Sequence, residues 1–383
     1  MRRVLVLNGP NLDLLGVREP EIYGRTSLAT LADTVWTWGR ELGFDVEHFQ
    51  SNHEGELVER VHDSAQRFDG IIINAGALTH YSFSLHDALA AVEVPAVEVH
   101  ISNIRAREPW RRHSVISSAC VASLYGRGIP GYRWALLHLR NRDATPVETY
   151  QYGENPEQKM DVRRPTSPGS PVPLAVVVHG GLWRQEWTSD TTETWAVELA
   201  RRGWITANIE YRRFGAGGGW PESFADVETA FGAAAALPGV DPRQLHAIGH
   251  SAGATMALWS AGQTASVRPT RVMSVAGITD LVRARAEGLG EGTVASIEGR
   301  RRPRPEESSP RHRLPIGVEV TLVSCLGDTL VDPSYATEYA TAARQAGDRV
   351  ELIELETTHG AVLDPLEPAL GAVIEGLAGS QHP

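Results

Sequence analysis

Lysine is nearly absent from this chain. Lys159 is the only one, so 35 of the 36 basic residues are arginine, and residues 1–142 hold no primary amine on a side chain. Imine chemistry through a lysine is therefore excluded from that stretch. The arginine bias itself fits a GC-rich coding sequence. Cysteine is scarce too: Cys120 and Cys325 lie far apart, too few for a disulfide scaffold, and both read as reduced thiols in a cytoplasmic protein. No apolar run approaches the roughly 18–20 residues of a membrane helix, and the chain enters a strand directly after Met1, so neither a span nor a leader is expected. A basic stripe is missing and the net charge is −11, which argues against nucleic acid as a partner. Neither G-x-x-x-x-G-K-[ST] nor G-x-G-x-x-G follows the first strand, so no phosphate loop is expected there. No cofactor or metal is called for.

What is present is strand–helix alternation, twice. Short apolar runs near 4–8, 44–49, 70–74, 96–100 and 116–121 read as strands. Between them, "LATLADTVWTWGREL", "EGELVERVHDSAQRF" and "SLHDALAAV" repeat apolar residues at helical spacing, and "YGRGIPGYRWALLHLRNR" supplies a last helix. This alternation predicts a parallel sheet covered on both faces. Composition then shifts at "RRPTSPGSPVP", Arg163–Pro173, and alternation restarts at "LAVVVHGG". A length of 383 residues suits two domains. The boundary is placed at 145, with 146–173 read as linker and opening of the second domain, and Glu298–Pro315 as a surface loop.

Three strands of the first half end in polar residues, at Asn8, Asn74 and His100. Ligands of open parallel sheets bind beyond the carboxyl ends of strands. In "AVEVH" the period of two places Glu98 and His100 on one face, where a carboxylate can orient an imidazole for acid catalysis. A purely structural Glu–His pair has the same spacing. Just downstream, "IRAREPWRRHS" puts Arg107 and Arg111 four apart, as on one helix face, either solvated or holding a carboxylate. The loop "NGPNLDLLGVREPEIYG", Asn8 to Gly24, carries Asn11, Arg18 and Tyr23. A phenol serves as a base near neutral pH only at a cost of ~4 kcal/mol. One arginine at about 4 Å offsets that at an effective dielectric of about 20.

"LNGPNLDLLGVREPEIYG", "NAGALTHYSFSLHDAL", "VEVHISN" and "REPWRRHS" resemble the signatures of type II 3-dehydroquinate dehydratases, over essentially all of 1–142. The resemblance implies a flavodoxin-like, three-layer parallel sheet and dehydration of 3-dehydroquinate to 3-dehydroshikimate through an enolate. It implies Tyr23 as proton acceptor and His100 as donor, with Arg18 supporting the tyrosinate and Asn11 holding the water that steadies the enolate. Asn74, His80, Ile101, Ser102 and Arg111 would hold substrate. Asp87 would reach a neighbouring subunit's site in a dodecamer of trimers.

The second half carries other chemistry. Gly249-His250-Ser251-Ala252-Gly253 follows a plausible strand and precedes a helix, as a nucleophile elbow requires. "VVVHGGLW" offers the amides of Gly180 and Gly181, with that of Ala252, to an oxyanion. Asp328 and His359 follow in the order Ser, Asp, His. Asp332 competes for the acid role, but it precedes Pro333, is held extended, and reads as a turn or cap. This half resembles the α/β-hydrolases, in particular the HGGxW-bearing esterase and arylformamidase-like group, over roughly 150–375. The expectation is thus a bifunctional, homo-oligomeric α/β enzyme: a dehydratase followed by a serine hydrolase of an unidentified ester or amide. The alternatives are an inert hydrolase-like domain used for assembly or ligand binding, and two non-catalytic binding modules.

Overall fold

The computed structural model describes residues 1–142, 144–166, 171–263, 267–299 and 302–378. The chain divides into two compact units, Met1–Asp143 and Ala144–Pro383.

In the first unit, β1 (Arg2–Asn8), β2 (Phe44–Gln50), β3 (Gly70–Asn74), β4 (Ala96–His100) and β5 (Ala122–Tyr125) form one parallel sheet in the order β2-β1-β3-β4-β5. That is the flavodoxin-like order, with its switch point between β1 and β3. Alternation along β1 sends Val4 and Val6 into one core with Leu31, Val35 and Leu136, and Leu5 and Leu7 into the other with Leu57, Val61 and Leu85. Helices Leu28–Leu42 and Pro130–Arg142 pack together, as do Glu54–His62 and Phe83–Ala91. Ser27 and Ser82 cap two of them by accepting from Thr30 N and Leu85 N. Between β1 and β3 the chain exits cross so closely that a Cβ on Gly9 would lie 2.5 Å from the Ala75 carbonyl oxygen, so only glycine fits there.

Two expectations fail here. The fifth strand is not 116–121: Ile116 is buried as a plug, Ser117–Ala119 is a 3-10 turn, and pairing with β4 begins at Ala122. Arg107 and Arg111 share no α-helix. Pro109 has no N–H to give and holds Glu108 extended, which splits the segment into two 3-10 turns, Ile104–Ala106 and Pro109–Arg111.

The second unit is an eight-stranded mixed sheet, ordered β13-β12-β11-β10-β8-β9-β7-β6. Its strands are β6 (Val147–Gln151), β7 (Lys159–Arg163), β8 (Val172–Val178), β9 (Ile205–Ile209), β10 (Val240–His250), β11 (Arg271–Val275), β12 (Glu319–Cys325) and β13 (Val350–Leu355). Among the described residues only the β6–β7 and β7–β9 pairings are antiparallel. The stretch 146–173 is therefore mostly not a linker, since β6 and β7 make an edge hairpin out of it; its residues 167–170 lie outside the described ones. Buried Arg163 anchors the hairpin through an ion pair with Glu193 and a bond to the Thr145 carbonyl. The loop Glu298–Pro315 contains two short turns, Pro305–Ser308 and Pro310–Arg313, and its residues 300–301 lie outside the described ones. No helix among the described residues is long and apolar enough to cross a membrane.

Candidate active sites

Beyond the carboxyl ends of β1, β3 and β4 lies a cavity of about 270 Å3. It gathers Asn11, Arg18 and Tyr23 from the first loop and Asn74 and His80 from the β3 exit. The segment after β4 adds His100, Ile101, Ser102, Arg107 and Arg111. Glu98 stands behind His100, fully buried, and takes the imidazole Nε2 at 2.9 Å. Thr79, Ser114 and Ser123 hydroxyls also donate to it, at 2.8, 2.7 and 2.7 Å. Burial alone would raise this carboxyl, but the bond and charge of His100 and the Ser114 and Ser123 hydroxyls outweigh it and hold it well below the usual carboxylate range. Glu98 is thus a fixed anion that sets the tilt of His100. His80 Nδ1 donates to the His113 carbonyl at 2.7 Å, which leaves Nε2 for the cavity. Its pKa is lowered by burial first, against the His113 bond, and then by His100 and Arg111.

Tyr23 sits on the short helix Pro20–Tyr23. Arg107 Nη1 donates to its hydroxyl at 2.8 Å. Arg18 does not: its Nε is 3.1 Å from Glu19, and its guanidinium carbon lies 5.9 Å from the Tyr23 ring centre. The cation on the phenol oxygen is therefore Arg107. Burial would lower the Arg107 pKa, but its bond and charge contact with Tyr23, then Glu108 and Glu19, raise it. Asn11 holds a left-handed backbone, φ 67°, with its N–H tied to Asn52 Oδ1 at 2.8 Å. Asp87 is not part of the cavity in one chain; its side chain is 84 % exposed, beside His86.

In the second unit, Ser251 stands between β10 and the helix Ala252–Ala261 at φ 52°, ψ −120°, a backbone strained for a non-glycine residue. Flanking glycines allow this: a Cβ on Gly253 would lie 2.2 Å from the Val178 carbonyl, and one on Gly249 would lie 2.4 Å from that of Gly253. Gly180 presses against Ser251, its hypothetical Cβ 2.9 Å from Ser251 Cβ, and Gly181, Leu182 and Trp183 all have positive φ. Under this loop, His179 stacks on Tyr211 at 4.4 Å, and its Nε2 lies 3.4 Å from buried Glu210, which Arg213 holds at 2.8 Å.

Asp328 Oδ2 accepts from His359 Nδ1 at 2.5 Å, while its Oδ1 accepts from Leu330 N and Val331 N. Burial would raise this carboxyl; His359 and the two amides more than reverse that and lower it. Asp332 accepts instead from Ser334 N at 2.8 Å. His250 Nε2 donates to the His359 carbonyl at 2.8 Å, and Trp195 Nε1 to that of Val362, so two buried rings pin the histidine loop. Burial, then the neighbouring His359, push His250 down to about 3, so it stays a neutral donor. No hydrogen bond joins Ser251 Oγ to His359 among the described residues; such contacts often close only with substrate bound. Among the described residues no group of three His, Cys, Asp or Glu side chains is placed to hold a metal ion.

Comparison with known proteins divides along the same line. Residues 2–140 match the family model described as Dehydroquinase class II. A 3-dehydroquinate dehydratase of Caldicellulosiruptor bescii is 52% identical over 141 residues, 37% of this chain and 97% of that protein. One from Halothermothrix orenii is 53% identical, over 37% of this chain and 95% of its own. The chain belongs to the class II dehydroquinase family. Residues 160–289 match the BD-FAE family model. A bacterial heroin esterase is 21% identical, covering 64% of this chain and 87% of that one with a TM-score of 0.51. Propionate-bound esterase 2 of Thermogutta terrifontis is 22% identical, covering 62% and 94%, with a TM-score of 0.52. At those identities the likeness is one of fold: the second unit is an α/β-hydrolase sheet.

In the dehydroquinase unit, sequence reasoning passed over Thr79, Ser123 and Tyr132, and in the esterase-like unit Glu210, Arg213, His250 and Trp195. Each acts through another residue, and only Thr79 and His250 fall inside a motif, His250 at its variable position. Tyr132 alone left a trace, as a tyrosine that the burial of its helix face would force to find a partner.

Proposed function

We propose that the first unit dehydrates 3-dehydroquinate to 3-dehydroshikimate, with Tyr23 as base and His100 as acid. The observation that carries this reading is the Arg107–Tyr23 bond of 2.8 Å in the same cavity as His100, which Glu98 backs. Tyr23, as phenolate beside the Arg107 guanidinium, takes a proton from the carbon next to the ketone. The electron pair moves into an enolate, whose oxygen a water held by Asn11 would steady. Collapse of the enolate expels the hydroxyl, to which His100 gives its proton as water leaves. Ile101, Ser102, Asn74, His80 and Arg111 are the groups available to hold the hydroxy acid and its carboxylate. Asp87, on the surface, is available to a neighbouring copy, as a homo-oligomer of this family would use it. The test is the ultraviolet absorbance of the conjugated enone product on adding 3-dehydroquinate.

Two further outcomes follow from this chemistry. Arg107→Ala should lower kcat for enone formation, because it removes the donor that holds the Tyr23 hydroxyl at 2.8 Å. A raised KM with kcat unchanged would make Arg107 a substrate ligand only. Borohydride added with substrate should leave the activity intact, because an enolate offers nothing to reduce onto the chain. Loss of activity with substrate mass on Lys159 would contradict the enolate route.

For the second unit the proposed reading is a serine hydrolase of a carboxylic ester or amide. Ser251 is the nucleophile, His359 the base oriented by Asp328, and Gly180, Gly181 and Ala252 supply the oxyanion amides. The Asp328–His359 bond and the strained Ser251 backbone support it. Covalent labelling of Ser251 by a fluorophosphonate separates this reading from an inert, assembly-only domain.

A further inference from the structure

Asn8 and Asn74 end adjacent strands and are register partners, yet only Asn74 lines the cavity. Between them stands Tyr132, on the helix Pro130–Arg142, fully buried among the apolar side chains of that face. Its hydroxyl donates to Asn8 Oδ1 at 2.7 Å and accepts from Asn74 Nδ2 at 3.2 Å. At the other end of the Asn74 amide, Oδ1 accepts from Gly76 N at 3.3 Å.

The bonds run in one direction. A phenol has a single proton to give. Burial pushes the Tyr132 hydroxyl above the ordinary phenol range, against the Asn74 bond, so it keeps that proton. With the proton committed to Asn8, Tyr132 can only accept from Asn74. The backbone amide of Gly76 likewise needs the carbonyl end of that side chain. Both ends of the amide are thereby assigned, and of its two N–H groups one remains for the cavity. Turned over, the same side chain would offer an oxygen to a substrate carboxylate and repel it.

We infer that Tyr132 is a positioning residue for the dehydratase site: the Asn8–Tyr132–Asn74 relay fixes the Asn74 amide so that it presents a donor, not an acceptor, to an oxygen of the bound hydroxy acid. This rests on the dehydratase reading above. The relay acts on binding in ground and transition states alike, so its loss belongs in KM.

The test is steady-state dehydration of 3-dehydroquinate by the full chain, comparing wild type, Tyr132→Phe, Asn74→Ala and the double variant. Tyr132→Phe should raise KM about tenfold, the worth of one well-placed hydrogen bond, with kcat within about threefold. In the Asn74→Ala background it should raise KM no further, since Tyr132 acts through Asn74. An unchanged KM in the single variant, or the same rise in both backgrounds, would overturn the relay; the second result is what a merely structural tyrosine gives. If Tyr132→Phe does not fold, Asn8→Ala carries the test. It frees the hydroxyl proton to turn toward Asn74 and should raise KM similarly, and an unchanged KM would again overturn the relay. If the wild type forms no enone, the dehydratase reading fails on its own. The relay is then judged by the same pattern in the dissociation constant of 3-dehydroshikimate from titration calorimetry.

Discussion

Tyr23→Phe is expected to lower enone formation by ~10²–10⁴-fold while leaving the affinity for 3-dehydroquinate and the labelling of Ser251 nearly unchanged. The substitution removes one oxygen atom. That oxygen is the one Arg107 holds at 2.8 Å, so the variant keeps the ring and the loop but has no site to receive a proton. Arg107 would then lose its bond to the hydroxyl and keep its charge contacts with Glu108 and Glu19. Binding should survive because Asn74, His80, Ile101, Ser102 and Arg111 come from the exits of β3 and β4, not from the loop of Tyr23. Retention of most of the turnover would remove Tyr23 from the role of base, whatever its distance from Arg107.

Asp328→Asn is expected to cost the esterase-like unit about 10⁴-fold in acyl hydrolysis. The carboxylate does two things in the structure. Oδ2 accepts the hydrogen bond of His359 Nδ1, which leaves Nε2 for the base role in the proposed hydrolysis, and Oδ1 ties down the backbone of Leu330 and Val331. An amide side chain can retain the second function, so the loop should keep its shape. It can also turn its nitrogen toward His359 and stabilise the wrong tautomer. Asp332→Asn makes a useful contrast. The Asp332 carboxylate accepts from the start of the helix Ser334–Ala346, away from His359, so the change should cost at most about 1–2 kcal/mol of stability and leave hydrolysis in place. Dehydration should be untouched by either substitution. Hydrolysis lost in Asp332→Asn but not in Asp328→Asn would reverse the assignment.

Much of this architecture is legible in the sequence because it is periodic. The helix Leu28–Leu42 coincides with the apolar repeat that announces it, and Glu98 and His100 meet because a strand repeats every two residues. What is lost is what periodicity cannot carry. Val115, Ile116 and Val121 look like strand residues, but burial of Ile116 and the bond from Val121 N to the Ala96 carbonyl come before the strand begins. The β6–β7 hairpin lies at a sheet edge with most of β6 exposed, so it has no alternating pattern to show. At the sites, the groups that chemistry demands are visible as motifs, while their supports are not. Thr79 and Ser123 look like any hydroxyl residues until Glu98 is buried beside them. The resemblance implies Arg18, near Tyr23 in sequence, as the cation on its hydroxyl; the structure puts Arg107 there, 84 residues away, through a long-range contact that no local pattern shows. His250 occupies the variable position of the elbow motif, yet its ring holds the loop of His359.

If one chain carries two independent sites, a single measurement addresses both. The full chain is treated with a fluorophosphonate until labelling is complete, the modified peptide is located by mass spectrometry, and the labelled protein is given 3-dehydroquinate while ultraviolet absorbance is followed. The account predicts one adduct, on Ser251, and enone formation at the rate of the untreated protein. An unmodified Ser251, or a labelled protein that no longer forms the enone, would contradict it.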